Sequence, residues 1–470
     1  MISLLVLGFG LPVLQGILFV RILFPYPLRI LAGRGFNLAL STGIGLGLSS
    51  LLYTGYRFFY PAGELSGLLL LDSIFILMLL LIVRQSERTP HRIPIERYYK
   101  PELLDAYIRS LFVILLITSL VVFILRICYL PDGQWDTFAI WNLHARFFSR
   151  GGDNWMDYFN PVIGWSHPDY PLLISACVAR GWQFAESETV LSPALVSAVF
   201  TFGTVGIVTG SIGALRGPRS GWMAGIVLLG ASTFVQHGAW MQADVPLGFF
   251  IVAALAVIAM IDRDENNTRT WAMAGLLCGL AAWTKNEGEL FLCVIILISI
   301  CNLFFRSGPF RQKSIRAGGF VFGILPAALI LVWFKTHCQI PNDLLEGQHG
   351  QTLQRLLDPA RRNLVMQFYQ QEILGFGKSP MGIAPILILY TALMVRINAH
   401  RVSQAFPAIA VILIMLTGYF GIYLITPHNL YLHLQSSLNR LLLHLWPTLV
   451  FAAFLLVNDY SRKPSPGYSG

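Results

Sequence analysis

The sequence predicts an all-α polytopic membrane protein, and three observations carry that prediction. Of its 470 residues, 55% are hydrophobic and 12% charged, where soluble domains average roughly 25% charged. The apolar residues fall in runs long enough to cross a bilayer, which takes about 20 residues. The Lys and Arg residues collect in alternate loops between those runs.

Thirteen candidate spans follow, at roughly 2–20, 37–56, 64–83, 109–129, 190–212, 221–238, 245–261, 270–283, 289–305, 317–335, 381–396, 405–425 and 441–458. The first lacks a cationic leader and a small-residue cleavage site, so it reads as a retained span. Basic residues follow the odd-numbered spans: Arg21, Arg29 and Arg34; Arg84, Arg88, Arg92, Arg97 and Lys100; Arg216 and Arg219; Arg306, Arg311, Lys313 and Arg316; Arg396 and Arg401; Arg462 and Lys463. One orientation satisfies them all, with the N-terminus outside and the C-terminus in the cytoplasm. One missed span would put every later basic loop on the wrong side, so the sorting supports the count as well.

The net charge of +9 therefore belongs to membrane topology and does not imply nucleic acid. The six Cys residues are scattered and show neither metal spacing nor a disulfide framework. No Walker A or Gly-rich phosphate loop appears, which leaves ATP-driven transport without support.

Three long segments fall outside: 130–189, 336–380 and 426–440. The first is too long to be a simple connection. Within it, TFAIWNLHARFF has an apolar stripe at positions 140, 143 and 147, and PLLISACVARGWQFA is apolar but short for a span. Both read as helices lying in the interface, with Trp and Tyr at headgroup depth.

The candidate chemistry gathers on this outer side. Asp136, in GQWDTFAIWNLHARFF, reads as the N-cap of a helix starting at Thr137 or as a general base where water meets lipid; the two are compatible. In SHPDYPLL, His167 and Asp169 flank Pro168, either as a Pro-rich turn with a capping Asp or as the wall of a polar pocket. Asp244, in WMQADVPLGFF, is a cap by position, yet shares a face with Asp136; it could orient the acceptor or bind a cation. In WTKNEGEL, Lys285 and Glu287 form an ion-paired turn, or Lys285 binds a phosphate. Arg440, near the outer end of the last span, opposes the charge trend; it either snorkels to headgroups or binds a lipid phosphate in bidentate fashion, with His428 and His433 able to join it. His444 lies deeper and reads as packed.

Together these stretches resemble the bacterial polyprenyl-phosphate-sugar-dependent GT-C glycosyltransferases, the branch of protein O-mannosyltransferase-like and aminoarabinose transferase-like enzymes. That family carries W-D-x-x-x-x-W-x-x-K-A-R, matched here by Trp135, Asp136, Trp141, Ala145 and Arg146, with His144 in place of Lys. It continues with H-P-D-Y-P-L (His167 to Leu172), an outer Asp before an apolar helix (Asp244), G-L-x-x-x-T-K-x-E (Lys285, Glu287), and T-P-x-x-L-x-x-H-L-x-x-S-x-x-R (Pro427, His433, Ser437, Arg440). The resemblance covers about 105–450. It implies a GT-C transmembrane domain at 105–460, preceded by a three-span extension at 1–104 and followed by a cytoplasmic tail at 461–470.

The resemblance also implies an inverting transfer of a sugar from a polyprenyl-phosphate donor, at the outer face of a bacterial inner membrane, to a glycan, lipid or protein acceptor. Asp136 and Asp244 would be catalytic. Lys285, Arg440 and His433 would bind the donor phosphate. His144, Arg146, His167, Asp169 and Glu287 would line the acceptor pocket. No cofactor is expected, although Asp136 and Asp244 could hold Mg or Mn. Two other readings share these features. A lipid-linked sugar flippase should show repeat symmetry and midplane polar sites, and the sequence shows neither. An O-antigen polymerase or ligase would use paired Arg in a late outer loop, as at Arg355, Arg361 and Arg362.

Overall fold

Among the described residues the predicted spans fall mainly on helix, and the count of thirteen full crossings is not reproduced. The computed structural model describes residues 2–24, 31–86, 102–261, 268–305, 309–338, 350–377, 382–395 and 398–457. Arg29, Arg88, Arg92, Arg97, Lys100, Arg306, Arg396, Arg462, Lys463 and the expected tail at 461–470 lie outside these residues.

Among the described residues, nine helices are long and apolar enough to cross a membrane. They are α1 (Ile2–Leu23), α2 (Leu31–Phe59), α3 (Leu65–Ser86), α4 (Leu103–Tyr129), α7 (Leu191–Arg216), α10 (Asp244–Ile261), α13 (Phe310–His337), α17 (Ala399–Ile425) and α18 (Leu430–Leu456). The other four predicted spans fall on less regular elements. The span at 221–238 is broken at Ala231, whose extended backbone separates α8 (Pro218–Gly230) from α9 (Ser232–Ala239). At about 1.5 Å per residue, α11 (Thr268–Ala282) and α16 (Ile383–Met394) fall short of a full crossing, and α12 (Asn286–Phe305) just reaches one. The segments expected to lie outside hold α5 (Asn142–Arg150), α6 (Leu173–Ala185), α14 (Thr352–Leu357) and α15 (Pro359–Gly375).

The centre of the bundle is α10. Its sequence, DVPLGFFIVAALAVIAMI, is apolar on all sides, and all of its residues except Ile258 are buried, as expected of a helix with no polar face. It packs against α7, α11 and α18. By contrast, α4 is equally apolar but mostly exposed, the surface a lipid-facing helix presents. The pair α11 and α13 approach closely through small residues: a Cβ at Gly275 would collide with Phe320 O, and one at Gly323 with Ala272 O.

The first three helices join the same hydrophobic core as the rest. Helices α1 and α2 both pack on α6. A sealed polar knot fixes the join: Arg180 of α6 donates to Asp72 of α3 (2.6 Å), and Gln15 of α1 donates to the same carboxylate (2.8 Å). Arg57 at the end of α2 donates to the carbonyls of Phe148 and Gly152 in the outer segment.

Two expectations for 130–189 need correction. Helix α6 does not lie on a surface, because α1, α2, α5 and α7 cover it and only Gln183 escapes burial. A short apolar helix looks the same in sequence whether lipid or protein covers it. The buried stripe of the preceding helix is also displaced. It runs through Ile140, Trp141, His144, Ala145 and Phe148, while Leu143 and Phe147 are only partly buried, so the helix turns His144 inward.

At the other end of the bundle, Arg216 donates to Leu455 O (3.0 Å) and Gln404 Oε1 (2.8 Å), and Arg219 pairs with Asp105 and Glu102. Leu455 lies fifteen residues beyond Arg440 on α18, about 22 Å away along the axis.

Candidate active site

The site is built where three helix ends meet the side of a fourth helix. Helix α10 begins at Asp244, α11 ends just before Lys285, α12 begins just after it, and α18 contributes Arg440 and His444, four residues apart and so on one face. Asp244 is fully buried. Its Oδ1 accepts from Lys285 Nζ (3.0 Å) and from His444 Nε2 (2.8 Å), and its Oδ2 accepts from Arg440 Nε (2.8 Å). With Nε2–H directed at the carboxylate, His444 Nδ1 is left to accept from the Tyr419 hydroxyl, 3.3 Å away. Lys285 also pairs with Glu287 Oε1 at 3.0 Å.

Asp136 joins this cluster through one contact, a 2.6 Å ion pair from Arg440 Nη1 to its Oδ2. Its side chain and that of Arg440 are each 20% exposed, whereas Asp244 has no exposure. The N-cap expectation for Asp136 is overturned. Its backbone is already helical and its carboxylate makes no capping hydrogen bond, because the carboxylate is turned toward Arg440.

What aims it is a five-residue π-helical turn, Thr137–Trp141, in which the N–H of Asn142 bonds Thr137 O. Thr137 Oγ1 donates to Trp240 O, joining this turn to the segment that leads into α10. Only glycine fits at Gly133, where φ is +71° and a Cβ would strike Thr137 and Trp240 O. Met241, three residues before Asp244, and His167 are held at φ +56° and +52°, conformations that non-glycine residues rarely keep away from functional sites.

The SHPDYPLL turn reaches the cluster through Tyr170. The His167 ring stacks on Tyr170 (centroids 4.9 Å), Tyr170 stacks on Trp141 (5.7 Å), and Lys285 Nζ lies 5.7 Å from the Tyr170 centroid. Burial pushes the Tyr170 phenol upward, so it remains a hydrogen-bond donor. Asp169 accepts from Asn286 Nδ2 (2.6 Å), the residue next to Lys285. Lys335 of α13 then donates to Asp169 O (3.0 Å) and Asn286 Oδ1 (2.9 Å) and pairs with Glu289 (2.8 Å).

The remaining predicted residues have other partners. His144 is fully buried, 3.3 Å from Ser166 Oγ and packed on Tyr158. Burial lowers its pKa from 6.5 to about 3, so it is a neutral core residue at ordinary pH. Arg146 pairs with Glu188 and lies over Trp182. His433 Nδ1 is 3.0 Å from Thr426 Oγ1, and with His428, Asn429, Leu432, Gln435 and Ser436 it lines an open pocket of about 570 Å³. Arg361 donates to the carbonyls of Tyr423, Leu424 and Thr426, and Arg355 to that of Ile425. Both therefore cap the C-terminus of α17.

Four contributors escaped the sequence reading. His444 is hidden in a leucine run, and its spacing from Arg440 was the available signal. Tyr170 sat inside the quoted motif, and Asn286 and Lys335 lie beside predicted residues.

The Asp244 carboxylate is already satisfied by donors. Both Asp244 oxygens already accept from Lys285, Arg440 and His444, so positive side chains stand where a metal would. Among the described residues, no group of three or more His, Cys, Asp or Glu is placed to hold one.

A helical membrane bundle with a charged cluster at one end is shared by transferases and transporters, and comparison with known proteins points to the first: part of this chain is similar to a glycosyltransferase family. Residues 113–342, from within α4 to just past α13, match the model of the family described as dolichyl-phosphate-mannose-protein mannosyltransferase. Comparison with curated proteins and with solved structures gave no match.

Proposed function

We propose that the chain transfers a mannosyl residue from a polyprenyl-phosphate donor to an acceptor hydroxyl or amine on the outer face of a bacterial inner membrane, with inversion at the anomeric carbon. The carrying observation is that Asp136 and Asp244 meet on one arginine, with Lys285 alongside. Asp136, the more exposed carboxylate, takes the acceptor proton. The acceptor oxygen or nitrogen bonds to the anomeric carbon as the bond to the phosphate oxygen breaks. The departing charge falls on the phosphate, which Lys285 and Arg440 stabilise.

Asp244 holds these two cations in place and so acts as a positioning residue. A buried carboxylate with three donors is a poor base, since protonating it would remove the charge that holds Lys285 and Arg440 and put a proton where a donor already points. Asp169 and His167 order the wall that carries Tyr170. His433 and its pocket stand at the outer end of α18, where an acceptor can approach. The three spans of 1–104 serve as a scaffold, gripping α6 and the outer segment through Asp72 and Arg57.

The test uses purified full-length protein with labelled polyprenyl-phosphate mannose and a panel of glycan, lipid and peptide acceptors. Transfer from a nucleotide sugar only, or no turnover of the lipid donor with any acceptor, overturns the reading.

A further inference from the structure

Arg440 is shared unequally. Asp244 keeps Lys285 and His444 if the guanidinium moves away. Asp136 has Arg440 as its sole ion-pair partner among the described residues and makes no capping bond. The contact to Asp136 comes from Nη1, at the tip of the side chain, while Nε nearer the stem stays on Asp244. A guanidinium can therefore rotate its tip toward a new acceptor without giving up its inner anchor.

We propose that Arg440 masks Asp136 until a lipid phosphate arrives, and that the phosphate unmasks the base by drawing the guanidinium tip away. This rests on the function proposed above and deepens it by ordering the reaction. Without a donor, one Asp136 oxygen is tied to a guanidinium and is not open to an acceptor hydroxyl or amine. Donor binding supplies phosphate oxygens, which suit the fork of Arg440 better than a single carboxylate oxygen does. Asp136 is then free to receive the acceptor proton while Arg440 faces the leaving group. When polyprenyl phosphate leaves, Asp136 gives its proton to water and Arg440 returns. The consequence is chemical economy: the base is exposed only when a sugar is present for the acceptor to attack.

The test measures carbodiimide labelling of Asp136 at fixed pH, by peptide mass spectrometry, on the full chain in detergent. The probe is a short-chain polyprenyl phosphate, with inorganic phosphate in a parallel arm. In the wild type, labelling should rise severalfold when the lipid phosphate is added. In Arg440→Ala it should already be at that raised level with nothing added, an arm that needs no ligand to bind. Arg440→Lys, which keeps the charge but lacks the fork, should fall between and guards against a folding defect in the alanine variant. Wild-type labelling that ignores bound lipid phosphate overturns the proposal, as does Arg440→Ala labelling equal to that of the unliganded wild type. If the lipid phosphate does not bind at all, the donor assignment fails, and the ligand-free arm still decides whether Arg440 covers Asp136. A response to inorganic phosphate alone would show that the phosphate group, without its lipid, moves the arginine.

Discussion

Two buried carboxylate–arginine contacts in this bundle make an instructive pair. Asp72 and Arg180 form a 2.6 Å bridge with side-chain exposures of 0% and 2%, and Gln15 completes the shell. Asp136, Arg440 and Asp244 form bridges of 2.6 and 2.8 Å, but one arginine serves two carboxylates and the Asp136 half is 20% exposed. The first contact pairs one carboxylate with one arginine and is closed to solvent, so nothing can enter or exchange. The second is over-supplied with carboxylate and open on one side, and such a contact can trade partners. Burial and ion pairing alone do not mark a site; imbalance together with access does.

Substitutions can break that contrast or sharpen it. The largest effect is expected at Asp136. Asp136→Asn should reduce single-turnover transfer by about 100- to 10,000-fold, the span usual for a lost general base, while the protein stays folded and still binds polyprenyl phosphate. Transfer at the wild-type rate would reduce the outer cluster to another structural knot. Arg180→Ala should do the reverse. It strands Asp72 in the core at a cost of roughly 3–5 kcal/mol, read as a lowered Tm in detergent, with kcat of the surviving enzyme within about twofold of wild type. A large fall in kcat at unchanged Tm would mean that the closed pair also takes part in turnover.

A third expectation concerns acid. Burial holds the folded His144 pKa near 3, against 6.5 for an exposed imidazole. Above about pH 6.5 both folded and unfolded chains carry it neutral, and it contributes no pH dependence. As the pH falls below 6.5 the unfolded chain gains a proton that the folded chain refuses, so stability declines, by about 2 kcal/mol at pH 5. Unfolding measured from pH 7 to 5 should show a shallower decline in His144→Gln than in the wild type. The smallest effect is expected at Arg361. Arg361→Met removes its bonds to the α17 carbonyls and should cost on the order of 1 kcal/mol, with chemistry unchanged, a result that would separate the late-loop arginines from the active cluster.

The helical bundle was legible because apolar runs of span length have few other uses, although among the described residues only nine of the thirteen runs form helices long and apolar enough to cross a membrane. The main cluster was legible for a related reason: Asp136, Asp244, Lys285 and Arg440 are costly residues at the ends of spans, all assigned to one side. Burial inside the outer segment was not legible. The apolar residues of α6 give the same pattern against lipid as against α1 and α2, and nothing local to Arg180 names its partner Asp72, more than a hundred residues away in α3. His144 stood in a motif position and so read as pocket, although its neighbours Trp141, Ala145 and Phe148 share its buried face. The partial exposure of Arg440 and the full burial of Asp244 depend on how helices seat against each other, which no local pattern encodes.

The π-helical turn at Thr137–Trp141 carries a consequence for how such an enzyme can change. A π turn amounts to one residue more than an α-helix would hold over the same path. Deleting a single residue there, Phe138 for instance, would let the segment relax into ordinary helix and swing Asp136 by roughly 100° around the axis, away from Arg440. Every side chain of the cluster would remain in the chain, and the reaction would still be lost. The aim of this carboxylate is thus written in chain length as much as in residue identity, and comparisons that score substitutions while overlooking one-residue gaps would miss the most economical way to silence the enzyme.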